Sequence, residues 1–113
     1  MEANEYRTLF GAFPEASLEE FLKIVTSGIS EENLNMLVPV DLSYHRYRTD
    51  NILTLEAFLC LSLVESDQWI WVRVEMDSLT GSVCENYYTK ESYGKFSLPS
   101  LQACIDHYLT REA

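Results

Sequence analysis

Two histidines, three cysteines and a surplus of carboxylates are the side chains in this 113-residue chain that could ligate a metal, move a proton or attack an electrophile. A zinc site needs four ligands at short spacings, and a covalent mechanism needs a base within hydrogen-bond reach of its nucleophile. His45, within Tyr44-His45-Arg46-Tyr47-Arg48, and His107, near the chain's end, have no ligand partners at zinc spacing and read as solvated or capping histidines. Cys104 and His107 lie three apart and could touch on a helix, which makes them the one candidate for a Cys–His nucleophile. The carboxylates gather at helix starts and turns, and Glu19-Glu20 is a helix N-terminus before it is an acid/base dyad. No GxGxxG, P-loop, HExxH, GxSxG or EF-hand pattern occurs, and glycines 11, 28, 81 and 94 are too scattered to cradle phosphate. The expectation is a protein without catalysis, metal or cofactor.

Two groups of residues are better suited to binding. Trp69, Trp71 and Arg73 alternate along one strand, and these residue types dominate the hot spots of protein interfaces. Their face is either an exposed binding surface or a second core layer covered by the N-terminal helices. Tyr44, Arg46 and Arg48 are the second group, and alternation sets them opposite His45 and Tyr47. This only local concentration of positive charge either holds a carboxylate-rich partner segment or pairs with the chain's own acids.

Charge narrows the choice of partner. Eighteen acids against eight bases give a formal net charge of −10 and a pI near 4.4. Such a surface repels nucleic-acid phosphates and anionic lipid and attracts basic proteins. Glu19, Glu20, Glu31 and Glu32 are then candidate contacts for a basic partner. The alternative is that acidic charge only keeps the protein soluble.

The elements that must position these residues are organised around Ile52–Met76, which reads as a long β-hairpin. Odd positions from Leu53 to Leu63 are apolar, and after Glu65-Ser66-Asp67-Gln68 the apolar residues fall on even positions, Ile70, Val72, Val74 and Met76. A loop of those four residues sets Leu63 opposite Ile70, Leu61 opposite Val72 and Leu59 opposite Val74, with both apolar rows on one face. Val38, Val40, Leu42 and Tyr44 predict a further strand over 38–48, at an edge because of Pro39, and Ser82–Thr89 predicts another. Helices are expected over 3–13, from the capping box Ser17-Leu18-Glu19-Glu20, after Ser30, and from Ser97-Leu98-Pro99-Ser100. Residues 1–113 thus predict one α+β domain, an antiparallel meander of three or four strands with N-terminal helices and a C-terminal helix on one face. Apolar residues at 47% suit a globular core. Odd-numbered cysteines without CxxC spacing predict free thiols, with Cys60 and Cys104 buried, and a reducing compartment. The opening MEANEYRTLF lacks a basic and an apolar signal region, so a cytoplasmic location is expected.

The stretch Val72–Leu109, VRVEMDSLTGSVCENYYTKESYGKFSLPSLQACIDHYL, resembles the strand–turn–strand–helix ending of small acidic type III secretion chaperones and their YbjN-like relatives. The likeness departs where those chaperones place a helix between their long strands. It implies a non-catalytic α+β sandwich, frequently a homodimer, that masks an apolar segment of a partner. The ending Phe96-Ser97-Leu98-Pro99-Ser100-Leu101 with His107-Tyr108 is also similar to that of SH2 domains. The corresponding strand Phe58-Leu59-Cys60-Leu61-Ser62 lacks the arginine that phosphotyrosine requires, so such binding is not expected. The expected role is an acidic protein-binding module, either a chaperone or a stoichiometric inhibitor of the immunity or anti-defence kind. The rival readings are a small enzyme or ligand binder, with a pocket from Trp69, Trp71, Tyr87 and a histidine, and a structural subunit of a larger assembly.

Overall fold

The computed structural model of the chain describes residues 3–40 and 43–112. Helices α1 (Ala3–Phe10), α2 (Leu18–Val25) and α3 (Glu31–Leu34) lead into strands β1 (Leu37–Pro39), β2 (His45–Thr49), β3 (Ile52–Ser62), β4 (Asp67–Asp77) and β5 (Val83–Tyr88), and helix α4 (Leu101–Glu112) closes the fold. The class is α+β, with an open antiparallel five-stranded sheet. β3 and β4 form its centre, β5 one edge, and β1 and β2 lie end to end along the other edge of β3. No helix among the described residues is long and apolar enough to cross a membrane.

The hairpin faces follow the apolar alternation, but the register does not follow the expected loop. Leu59 stands opposite Ile70, Ala57 opposite Val72 and Leu55 opposite Val74, and the turn is Leu63–Ser66, closed by the Leu63 amide donating to the Ser66 carbonyl at 2.9 Å. A period of two selects a face and is indifferent to a slip of any even number of residues, here four, from Val74 to Ile70 opposite Leu59. The slip places Val64 at the turn tip in full solvent, while Leu61 stays completely buried. The predicted strand 38–48 is likewise two strands. Val40 donates to the Phe58 carbonyl, and β2 pairs with β3 from His45, which stands opposite Glu56. Ser43 bridges the break: its Oγ accepts from the Phe58 amide at 2.9 Å and donates to the Val40 carbonyl at 2.6 Å. The expected position of Leu42 lies outside the described residues.

The core joins Leu55, Leu59, Leu61, Ile70, Val72 and Val74 to Tyr6, Phe10 and Phe21 from the N-terminal helices and to Cys104, Ile105 and Tyr108 from α4. All of the packed helices therefore lie on one sheet face. α2 starts at the expected capping box, Ser17 Oγ accepting from the Glu20 amide at 3.1 Å and the Glu20 carboxylate accepting from the Ser17 amide. α4 starts three residues later than expected. Ser100 accepts from the Ala103 amide, whereas Ser97 Oγ accepts from the Tyr87 amide and Leu98 pairs with Tyr87, extending the β5 edge. The three cysteines are free, and Cys104 is fully buried. Cys60 is only half-buried, because its even position in β3 turns it away from the helices.

Candidate functional site

Trp69, Trp71 and Arg73 stand on the sheet face away from the helices, so the N-terminal helices do not form a second layer over them. Phe58 and Tyr88 project beside them from β3 and β5, since Phe58 is registered with Trp71 and Trp71 with Tyr88. Tyr93 closes over the group from the turn after β5. The Trp71 ring meets Phe58 at 5.2 Å and Tyr93 at 4.0 Å, tilted by 34° and 30°. Phe58 and Trp69 meet edge to face at 5.9 Å and 82°. Trp69 remains 48% exposed and Tyr93 51%, which separates this cluster from a finished core.

Arg73 holds the polar end of the row. Its guanidinium carbon lies 5.6 Å from the centre of the Trp71 ring and 5.7 Å from that of Tyr88, and Nη2 donates to the Tyr88 hydroxyl at 3.2 Å. Burial alone would lower the Arg73 pKa. The Tyr88 bond and the charges of Glu75 and Glu56 outweigh it and hold the guanidinium further in its charged form. Burial, then Glu56, raises the neighbouring Tyr47 phenol. The aromatic end opens into a groove of roughly 780 Å³, with Val40, Asp67 and Lys90 also among its lining residues.

The other candidate residues lie elsewhere. Tyr44, Arg46 and Arg48 share one side of β2, as alternation predicts, but it is the helix side. The Tyr44 ring stacks on Phe21, its hydroxyl donates to the Ala16 carbonyl at 2.7 Å, and Arg46 Nη1 donates to the same carbonyl at 3.4 Å. Burial pushes the Tyr44 phenol up to about 12, against the opposing pull of Arg46. The pair ties the edge strand to the turn before α2, and Arg48 is exposed beyond it. Glu19 and Glu20 occupy the first turn of α2, and Glu31 and Glu32 that of α3. The candidate contacts therefore fall on the tryptophan face, on the helix side of β2 and at the starts of α2 and α3, and of these Trp69 and Trp71 line the groove.

Cys104 and His107 do not assemble a nucleophile. Burial pushes the Cys104 thiol up to about 12, which keeps it protonated near neutrality. His107 is turned to solvent, with Nε2 3.2 Å from Glu91 Oε1. Among the described residues no group of His, Cys, Asp or Glu could hold a metal ion. Sequence reasoning passed over Phe58, Tyr88 and Tyr93. The first two carry a signal, since Phe58 at an even position of β3 and Tyr88 beside the core-facing Tyr87 must both share the face of Trp71. Tyr93 lies in a turn, where no period applies. Compared with known proteins, the chain matches no protein family, no curated sequence and no solved structure.

Proposed function

We propose that this chain is a small acidic protein-binding module that acts without catalysis, as a chaperone or a stoichiometric inhibitor of a basic partner protein. The observation that carries this reading is the aromatic half of a sheet face left open by the helices. Contiguous apolar patches of this kind are rare on monomers and mark interaction sites, and Trp, Tyr and Arg supply most hot-spot energy. A net charge of −10 adds attraction for a basic partner and speeds encounter. The likeness of Val72–Leu109 to type III secretion chaperones favours the chaperone variant, and the charge favours the inhibitor.

The reading is tested by capturing partners with the full chain and with a Trp69→Ala variant as baits. A partner held by the first and lost by the second supports it, and a partner held equally by both removes the face from the account. Proteolysis of the captured complex separates the variants: a chaperoned partner is protected over one extended segment, an inhibited one stays folded and loses its activity. A second reading, a small-ligand domain, is favoured by the groove volume, which falls within the range of small-molecule pockets.

A further inference from the structure

The open face carries one arrangement twice. At its centre Trp71 and Tyr88 hold a cation, the Arg73 guanidinium, with Glu56 and Glu75 close enough to favour its charge. Next along the same strands, Phe58 and Trp69 form a right-angled aromatic corner, and Asp67 stands two residues before Trp69 in the wall of the same groove. That corner has the rings and the carboxylate of its neighbour but no guanidinium. Among the described residues no basic side chain pairs with Asp67, and Lys90, which also lines the groove, makes no ion pair with it. A cation over an aromatic face within about 6 Å is attracted by the ring quadrupole, and arginine does this most often. Its planar guanidinium can stack on a ring and still donate to a carboxylate.

We propose that the Phe58/Trp69 corner takes an arginine side chain of a basic partner segment, stacked on the rings with Asp67 as its counter-charge. This rests on the reading of the face as a protein-docking surface and names the chemistry that it selects. An apolar segment would cover the rings and leave Asp67 desolvated without a partner. A second copy of this chain would bring another net charge of −10 against the first.

The test uses the full chain and a fluorescein-labelled peptide of alternating arginine and glycine, with a citrulline–glycine peptide as its neutral isostere, read by anisotropy at physiological salt. The arginine peptide should bind about tenfold more tightly than the citrulline peptide. Asp67→Asn and Trp69→Leu should each weaken it by about threefold to tenfold. The double variant Glu5→Gln/Glu15→Gln removes more charge, from α1 and the turn that follows it on the helix side, and should change it little. Equal affinity for the two peptides, or an effect of that double variant as large as that of Asp67→Asn, overturns the proposal. Equal affinities that still fall in Trp69→Leu leave the docking face standing without its cation. Absence of arginine-peptide binding overturns the proposal, and the Trp69 dependence of the captured partner then judges the docking reading. Sedimentation that shows a dimer of the chain alone, dissolved by Trp69→Leu, also overturns it, by assigning the corner to a second copy.

Discussion

Trp69 and Trp71 stand two residues apart on β4, yet substitutions there should separate binding from stability. Trp71 touches Phe58, Tyr88 and Tyr93 and underlies Arg73. Each aromatic contact contributes about 0.5–1.5 kcal/mol beyond area burial, so Trp71→Ala should cost about 2–3 kcal/mol of stability. Trp69 meets one ring and is half open to solvent. Trp69→Ala should cost under about 1 kcal/mol in stability and about 2 kcal/mol or more in partner binding. Urea unfolding beside a binding titration checks both, and equal stability losses at the two sites would make the face intramolecular core. Tyr44 tests the helix side. Its phenol titrates near 10 when unfolded and near 12 when folded. Its contribution is therefore complete below about pH 10 and disappears as pH rises through about 12. Cys104, raised from 9.0 to about 12, acts in the same direction. Stability should fall across this alkaline window, and Tyr44→Phe should flatten the fall while costing about 1 kcal/mol at neutral pH through the lost bond to Ala16. An unfolding free energy that rises above pH 10 contradicts the assignment.

At the scale of the elements, the hairpin shows what a sequence can and cannot carry. Leu61→Asp places an unpaired charge at a fully buried position and should abolish cooperative unfolding at room temperature. A parent-like melt would mean that the odd row faces solvent. The alternation behind that prediction was legible in full, as were the α2 capping box, the edge position signalled by Pro39 and the α+β class. The pair offset was not, because slipping by four residues leaves every side chain on its face. Interstrand nuclear Overhauser contacts between Leu59 and Ile70, rather than between Leu61 and Val72, check the observed register. The openness of the tryptophan face was also illegible, since amphipathic rings suit a second layer as well as solvent and only tertiary packing chose the helices' side. The break in the edge strand depends on one hydroxyl. Ser43→Ala should cost about 1 kcal/mol by leaving the Phe58 amide without a protein partner. It should also loosen Phe58 and so weaken binding in the groove, while Ser43→Thr retains both; amide exchange at Phe58 reports the first effect directly.

For the whole molecule, the proposed function gives charge and the aromatic face different parts in association. The surplus of eighteen acids over eight bases makes the compact state self-repelling on balance, and added salt screens that repulsion within a Debye length of about 10 Å at 0.1 M. Salt should therefore raise the thermal midpoint of the isolated protein modestly while slowing its capture of a basic partner, opposite responses from a single cause. The edge strand limits the alternative of self-assembly by strand addition. β2 is His45-Arg46-Tyr47-Arg48-Thr49, and an antiparallel copy beside it would set arginines against arginines. Under the proposed reading the partner docks on the face, and the contributions of charge and of the face should separate kinetically. Ionic strength should act mainly on the association rate, because scattered surface carboxylates steer encounter more than they hold the complex. Trp69→Ala should act mainly on dissociation, because truncating a desolvated aromatic anchor removes contacts made only after docking. Stopped-flow association and dissociation rates across a salt series, for the parent and for Trp69→Ala, measure both at once. If salt accelerates dissociation while association stays constant, the carboxylates are contacts within the complex, and the basic segment lies along the acidic helix starts at Glu19, Glu20, Glu31 and Glu32 instead of across the tryptophan face.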